Sequence, residues 1–540
     1  MEKQKKAPRM MSGVVILMFS NMLVKLMGLF FKIPLHSYLG DLGMGYFNVA
    51  YNIFVTLYMI STAGLPIAIS IMVSGSRTLG RKKEVRRIFT TALLLFVALG
   101  VAGTLIMVLG AKPLATLMGS RDSYYCIITI APTLFFICVS SAIRGYFQGH
   151  QNMTPTAVSE VIEAIGKFAI GIVLCKYAIS CGYSIEIAAA YAIAGICIGV
   201  GTGMVFLISA KLFHKQNYGY LIIEESNECM PQKAIFRKLV LTAVPITISA
   251  VALNLTGIID SVTIINCMKS YTSIPIAEAA YGNYSTLVVT LTHLPSALIV
   301  PIASALTPAL ASTRAEKNTE KSMKAMNASL KFAAIISIPC AIGMSILSKP
   351  ILAMLFRKKA ESVNSAAPLL SILSISVFFT AMLTITNSIL QSHRLERKPI
   401  ISMLCGAAVK LVINFILISI PQVGVYGAPI GTVISYFVMA VLNFCFVAKY
   451  VHLDIKILKS FFRPFLATLA SSVFTITSFK IIDKISRQSV ATLSAILITV
   501  VVYFILLFAI KIIVKEELMM LPKGEKICRF LGKLGMKSFT

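Results

Sequence analysis

The chain has 540 residues, of which 57% are hydrophobic and 13% charged, with 50 Lys and Arg against 21 Asp and Glu. So apolar a composition excludes a soluble enzyme and describes an integral membrane protein. The net charge of +29 does not argue for nucleic acid, because the basic residues gather in alternate segments between apolar stretches, the positive-inside pattern.

Stretches long enough to cross a bilayer fall at 11–32, 45–73, 88–111, 124–147, 157–178 and 186–210. A second set follows at 239–265, 281–311, 330–350, 367–391, 399–420 and 425–448, then two more at 460–482 and 490–514. The reading is an all-α integral membrane protein of about 14 spans, multi-pass with both termini cytoplasmic. The first stretch is too long for a cleaved signal peptide and contains Lys25. The basic segments Lys349 to Lys359 and Lys480 to Arg487 fall on the outer side and make spans 9–10 and 13–14 the least regular.

The second half of the chain repeats the first. Leu65-Pro66-Ile67-Ala68 recurs as Val300-Pro301-Ile302-Ala303, and Gln148-Gly149-His150 as Gln391-Ser392-His393. Pro155 and Pro399 then open spans that carry Lys167 and Lys410 at nearly the same depth. A duplication of membrane helices is the mark of a transporter built from two lobes around a central site. The expected division is an N-terminal lobe over 1–213, a cytoplasmic linker over 214–236 and a C-terminal lobe over 237–450. Two extra helices follow over 451–514, then a basic tail over 515–540 that either lies on anionic membrane lipids or is solvated.

Backbone breakers occupy matched places: Gly64 and Pro66 in span 2, Pro245 at the start of span 7, Pro295 and Pro301 in span 8. They serve as hinges or as static kinks.

Ionisable groups inside spans each need an account, since one at the bilayer centre costs roughly 2.5–3.5 kcal/mol even on the lenient scale. At ~1.5 Å rise per residue, Lys25, Lys167 and Lys410 all lie ~16–20 Å into their spans, near mid-membrane. Lys32, Arg144 and Lys331 lie near span ends and are expected to snorkel. Glu163 precedes Lys167 by four residues and favours an ion pair, structural or displaceable by an anion, with Glu160 one turn earlier. Asp260 is a structural partner or a cation ligand. Asn21, Asn52 and Asn283 either join helices or line a hydrated cavity with the three lysines. Such a cavity suits a phosphorylated or carboxylated substrate.

The 11 Cys show no C-x-x-C pair and the 6 His no ligand spacing, so no metal is expected. There is no phosphate-binding loop for ATP and no carboxylate pair set for acid–base work, so neither catalytic residues nor a cofactor is expected.

The run Arg144 to Gly149, then Met153 to Ala157, Ser159, Glu163 and Lys167, resembles a known family. It is similar to the polysaccharide-biosynthesis and stage V sporulation protein B branch of the multidrug/oligosaccharidyl-lipid/polysaccharide exporter superfamily, which includes lipid II flippases. Lys25 through Gly28, Lys32 to Pro34, Leu39, Gly40, Gly45 and Tyr46 are similar too. The resemblance implies translocation of an undecaprenyl-pyrophosphate-linked cell-wall precursor, most readily lipid II, from inner to outer leaflet by alternating access. It implies a cationic cavity for the head group and a groove from the extra helices for the tail. Cell-wall synthesis enzymes are candidate partners, and coupling is to the membrane potential or a monovalent ion. Lys25 stands where the Gram-negative branch has an arginine, but Gly45 replaces its aspartate and span 8 lacks its arginine. The rival functions are a flippase for another lipid-linked polysaccharide or spore-cortex precursor, a cation-coupled multidrug exporter of the same superfamily, and a membrane-embedded glycosyl-transferring enzyme.

Overall fold

A computed structural model describes residues 7–62, 64–213, 230–300, 302, 303, 306, 310, 319–357, 359–451 and 459–510. Among the described residues every regular element is helical. Among these residues nine helices are long and apolar enough to cross a membrane, or ten if the pair Ala360–Leu373 and Ser376–Ser392, bent by 44°, is one span. Pro301, the tail over 515–540, most of the expected linker and the Asn21 side chain lie outside the described residues.

Packing separates two compact units, Met1–Thr286 and Leu287–Thr540. Unit 1 begins with α1 (Ala7–Thr62), which is continuous except at Gly40, where φ is 67°. A helix cannot hold that angle, and glycine adopts it without a Cβ clash. The consequence is large. Phe31 and Phe47 would stand ~24 Å apart on a straight helix, yet their ring centroids are 6.1 Å apart. Gly40 therefore folds α1 back on itself, and the His36–Asp41 contact of 2.7 Å brackets the turn. The two arms match the expected spans 1 and 2.

A break at Gly64 separates α1 from α2 (Leu65–Thr78), which has Pro66 in its first turn, where a missing N–H costs nothing. A Cβ on Gly64 would overlap the Ala243 carbonyl of α9. In this conformation Gly64 is a close crossing and Pro66 a helix start. Then come α3 (Lys82–Leu109), α4 (Ala111–Leu117), a 3-10 turn (Arg121–Ser123), α5 (Tyr124–Ile130) and α6 (Pro132–Gly149). The unit continues with α7 (Thr154–Ser180), α8 (Ile185–Phe213), α9 (Gln232–Met268), which contains Pro245 in a helical backbone, and α10 (Ile274–Asn283). Gly195, Gly199 and Gly203 recur every four residues on α8 and meet Gly171, Gly166 and Glu163 of α7. Small residues at this spacing let helix backbones touch, which is how helices associate where lipid removes the hydrophobic drive. Packing gathers α9 and α10 with α1, although the duplication assigns them to the second half by sequence.

A π-helical turn (Tyr284–Val289) leads to a turn holding Pro295. Unit 2 then contains α11 (Thr319–Ile346), α12 (Ser348–Leu355), α13 (Ala360–Leu373), α14 (Ser376–Ser392), α15 (Arg397–Ile418) and α16 (Gly427–Val451). The extra pair is α17 (Lys459–Ile485) and α18 (Gln488–Ala509), packed on α11. Tyr503 donates its hydroxyl to the Ile335 carbonyl at 2.9 Å, inside a cluster of Phe332, Ala467 and Leu507. Their outer faces expose Phe462, Phe474, Leu497 and Ile505, as lipid-facing helices do.

The duplication survives as matched local geometry. At the end of α6 the His150 Nδ1 donates to the Tyr146 carbonyl at 2.9 Å, and the next residue, Gln151, has φ 60°. At the end of α14 the His393 Nδ1 donates to the Ile389 carbonyl at 2.9 Å, and Arg394 has φ 60°. These are the only non-glycine residues with positive φ among those described.

Candidate functional site

Lys25 and Lys32 are seven residues apart on the first arm of α1, so they share a face. Lys25 is exposed within its unit. Lys32 turns inward: its ammonium donates to Asn48 Oδ1 at 3.4 Å on the returning arm. The fold-back at Gly40 makes this contact, so the expected snorkelling of Lys32 is corrected. Its position near a span end is real, but the second arm of α1 covers it.

Lys167 comes to the same place from α7. Its Nζ lies 3.5 Å from the Tyr51 hydroxyl, 4.7 Å from the Tyr51 ring centroid and 5.2 Å from that of Phe31. The rings give a cation their negative faces, and Phe47 stacks on Tyr51 at 5.8 Å to hold them. Lys32 and Lys167 are close enough to repel each other. Two ammoniums, an amide and a phenol thus converge in one helical bundle.

A polar seam continues from this point. Asn48 Nδ2 donates to Thr286 Oγ1 at 2.7 Å. Asn52 Nδ2 lies 2.5 Å from the Tyr281 hydroxyl and 3.4 Å from the Gly257 carbonyl. Asn283 and Asp260 are buried, on α10 and α9. Asn52 therefore joins helices within unit 1 in this conformation.

The expected Glu163–Lys167 pair does not form. Glu163 is taken by Arg144 of α6, whose Nη2 lies 2.5 Å from Glu163 Oε1, while Nε donates to Ser159 Oγ at 3.1 Å. A guanidinium offers several fixed donors to one helix face, which an ammonium cannot, and α6 presents it across from α7. Arg144, expected at the membrane edge, is 6% exposed. Glu160 joins this group, with its Oε2 buried and making no hydrogen bond.

Lys410 is on α15 in unit 2 and is 1% exposed. About two turns earlier on α15, Ser402 meets Asn443 Oδ1 at 2.5 Å, and Asn443 donates to Asn387 and Thr386. In this conformation Lys410 belongs to the interior of its unit.

Sequence reasoning placed Lys32 at a span end and missed Tyr51. The seven-residue step from Lys25 to Lys32 was the available signal. Among the described residues no group of three or more His, Cys, Asp or Glu could hold a metal ion. The cationic convergence can bind an anion by charge and hydrogen bonding, with aromatic faces beside it.

Comparison with known proteins bears on the family and the fold. The family described as "Polysaccharide biosynthesis protein" matches residues 10–314, and MatE matches residues 282–416. Stage V sporulation protein B of Bacillus subtilis (strain 168) is 24% identical over 519 residues, covering 95% of this chain and 97% of that protein. The lipid II flippase MurJ of the same organism is 24% identical over 465 residues, 83% of this chain and 84% of that protein. Among solved structures, a lipid II flippase MurJ in an inward closed conformation superposes with a TM-score of 0.70 at 16% identity, over 91% of this chain and 98% of that one. An inward-facing multidrug resistance MATE family transporter of the MOP superfamily gives 0.63 at 18% identity, over 82% of this chain and 98% of that one. The fold is therefore that of MOP-superfamily membrane transporters, as the sequence resemblance implied.

Proposed function

The chain belongs to the polysaccharide biosynthesis protein family, and on that premise we propose that it is a flippase for an undecaprenyl-pyrophosphate-linked cell-wall precursor, lipid II in the first instance. The observation that carries the reading is the approach of Lys32 to Lys167 inside an apolar bundle. Like charges held together in a membrane disfavour each other, and an anion with two or more charges relieves both. A pyrophosphate has that charge, while a cationic drug would be repelled. The outer faces of α17 and α18 supply apolar surface for a polyprenyl tail. The two lobes would then alternate access to the head group, with the membrane potential or a monovalent ion as driving force.

A second reading is a flippase for a spore-cortex or other lipid-linked polysaccharide precursor. The match to stage V sporulation protein B over 95% of the chain favours it. Both cargoes share the pyrophosphate, so the lysines serve either. Depletion in the native bacterium, with identification of the lipid-linked intermediate retained in the inner leaflet, separates them. Retained lipid II supports the first reading and another lipid-linked sugar the second. No retained intermediate would sink both.

A further inference from the structure

Away from the lysines, α10 carries a carboxylic acid with no apparent structural use. Glu278 is 0% exposed, and neither of its oxygens makes a hydrogen bond. The Ser120 and Tyr46 hydroxyls face it, and each has a second polar neighbour. Ser120 Oγ pairs with Ser123 Oγ at 2.6 Å, and the Tyr46 hydroxyl is directed to Asp122 Oδ2 at 3.5 Å.

The surroundings are acidic or neutral. The second arm of α1 contributes Tyr46 and the Asp41–His36 pair, the 3-10 turn contributes Asp122, and the start of α8 contributes Glu186. From α9, Asp260 faces Tyr281, one turn along α10 from Glu278. An ionised carboxylate buried here beside Asp122, with no basic partner within ion-pair reach among the described residues, would cost heavily, whereas a carboxylic acid carries no charge to desolvate.

The backbone around it is unusually close. A Cβ on Gly45 would overlap the Glu278 carbonyl, and a Cβ on Gly282 would overlap the Asp41 carbonyl. Two glycines thus bring α1 and α10 into backbone contact on either side of the acid. This gives a local account of Gly45, since any side chain there would push α10 away. It also ties the acid's charge to the crossing, because a carboxylate could reach water only if α10 parted from α1.

We propose that Glu278 is a proton-binding site whose occupancy locks α10 onto α1. The proton comes from bulk water and returns to it, converting carboxylate to carboxylic acid and back. With the proton bound, the glycine crossing closes over a neutral group. With it lost, the charged form favours separation of the two helices. The site is independent of which lipid is carried, so it stands or falls apart from the flippase reading.

The test is dicyclohexylcarbodiimide labelling of the full-length wild-type protein in phosphatidylethanolamine–phosphatidylglycerol vesicles, read by peptide mass spectrometry. The reagent couples to protonated carboxyls in apolar surroundings. The expected result is an adduct at Glu278 near neutral pH whose yield falls as pH rises. Infrared spectra should show a protonated-carboxyl band that moves in D2O, is absent from Glu278→Gln and persists in Glu186→Gln. Absence of the adduct, together with an unchanged band in Glu278→Gln, would overturn the proposal. Loss of the adduct on adding sodium at fixed pH would also overturn it, in favour of a cation site.

Discussion

Arg144 on α6 clasps Glu163 on α7, Nη2 to Oε1 at 2.5 Å, and so locks together the two helices that bear the most distinctive sequence run in the chain. Removing one partner of a buried pair leaves the other charge uncompensated, at roughly 3–5 kcal/mol. Arg144→Met and Glu163→Leu should each lower membrane abundance and melting temperature in detergent. The double variant should recover part of both, since each single change includes the penalty for the stranded partner. Normal abundance in both single variants would show that the pair is not structural.

Lys32 and Lys167 are expected to behave differently. Lys32→Gln and Lys167→Gln should abolish complementation of a flippase-deficient strain while abundance stays at the wild-type level. Arginine at either position should restore part of the activity, because a pyrophosphate is held largely as a charge. Lys410→Ala should instead reduce abundance, because its ammonium is enclosed in unit 2. Complementation assays paired with immunoblots of the membrane fraction read both outcomes.

Much of the fold was open to sequence reading because the bilayer imposes a coarse, repeated signal. Among the described residues the expected spans fall largely on helices, nine or ten of them long and apolar enough to cross a membrane, and His150 with Gln151 and His393 with Arg394 preserve the duplication in their backbone angles. The site was less legible, for a definite reason. Lys32 was assigned to the membrane edge from its depth, but one φ of 67° at Gly40 folds Asn48 onto it. Glu163 was matched to Lys167 by spacing along one helix, and spacing cannot see a neighbouring helix that offers a guanidinium. Local order in the chain predicts partners within a helix, while the choice between partners is made across helices.

His150 gives a pH dependence at the end of α6, just beyond the span. Burial lowers its pKa below the usual histidine value, and Arg77 lowers it further against the opposing hydrogen bond to the Tyr146 carbonyl. The folded state thus favours the neutral ring, and the unfolded chain binds more protons. The stabilisation is present above about pH 6.5 and is lost as pH falls through the folded-state value. Melting temperature in detergent should decline below that point in the wild type, with a shallower decline in His150→Asn. Identical profiles would remove His150 from the account.

The extra helices have two separable roles. Tyr503→Phe removes the hydrogen bond to Ile335 and should cost about 1 kcal/mol of stability, seen as a small drop in melting temperature without loss of transport. Photo-crosslinkers at the exposed positions Phe465 and Phe474 should capture a polyprenyl chain, whereas one at the buried Tyr503 should not. Truncation before α17 should leave a membrane-inserted protein without flippase activity. Full complementation by the truncated chain would make α17 and α18 a structural accessory.

The most direct measurement is native mass spectrometry of the purified protein with lipid II, comparing the wild type with the Lys32→Gln/Lys167→Gln double variant. The account predicts a one-to-one lipid II complex for the wild type and its loss from the double variant, with undecaprenyl monophosphate binding more weakly than lipid II. Equal lipid II binding by the wild type and a folded double variant would contradict it.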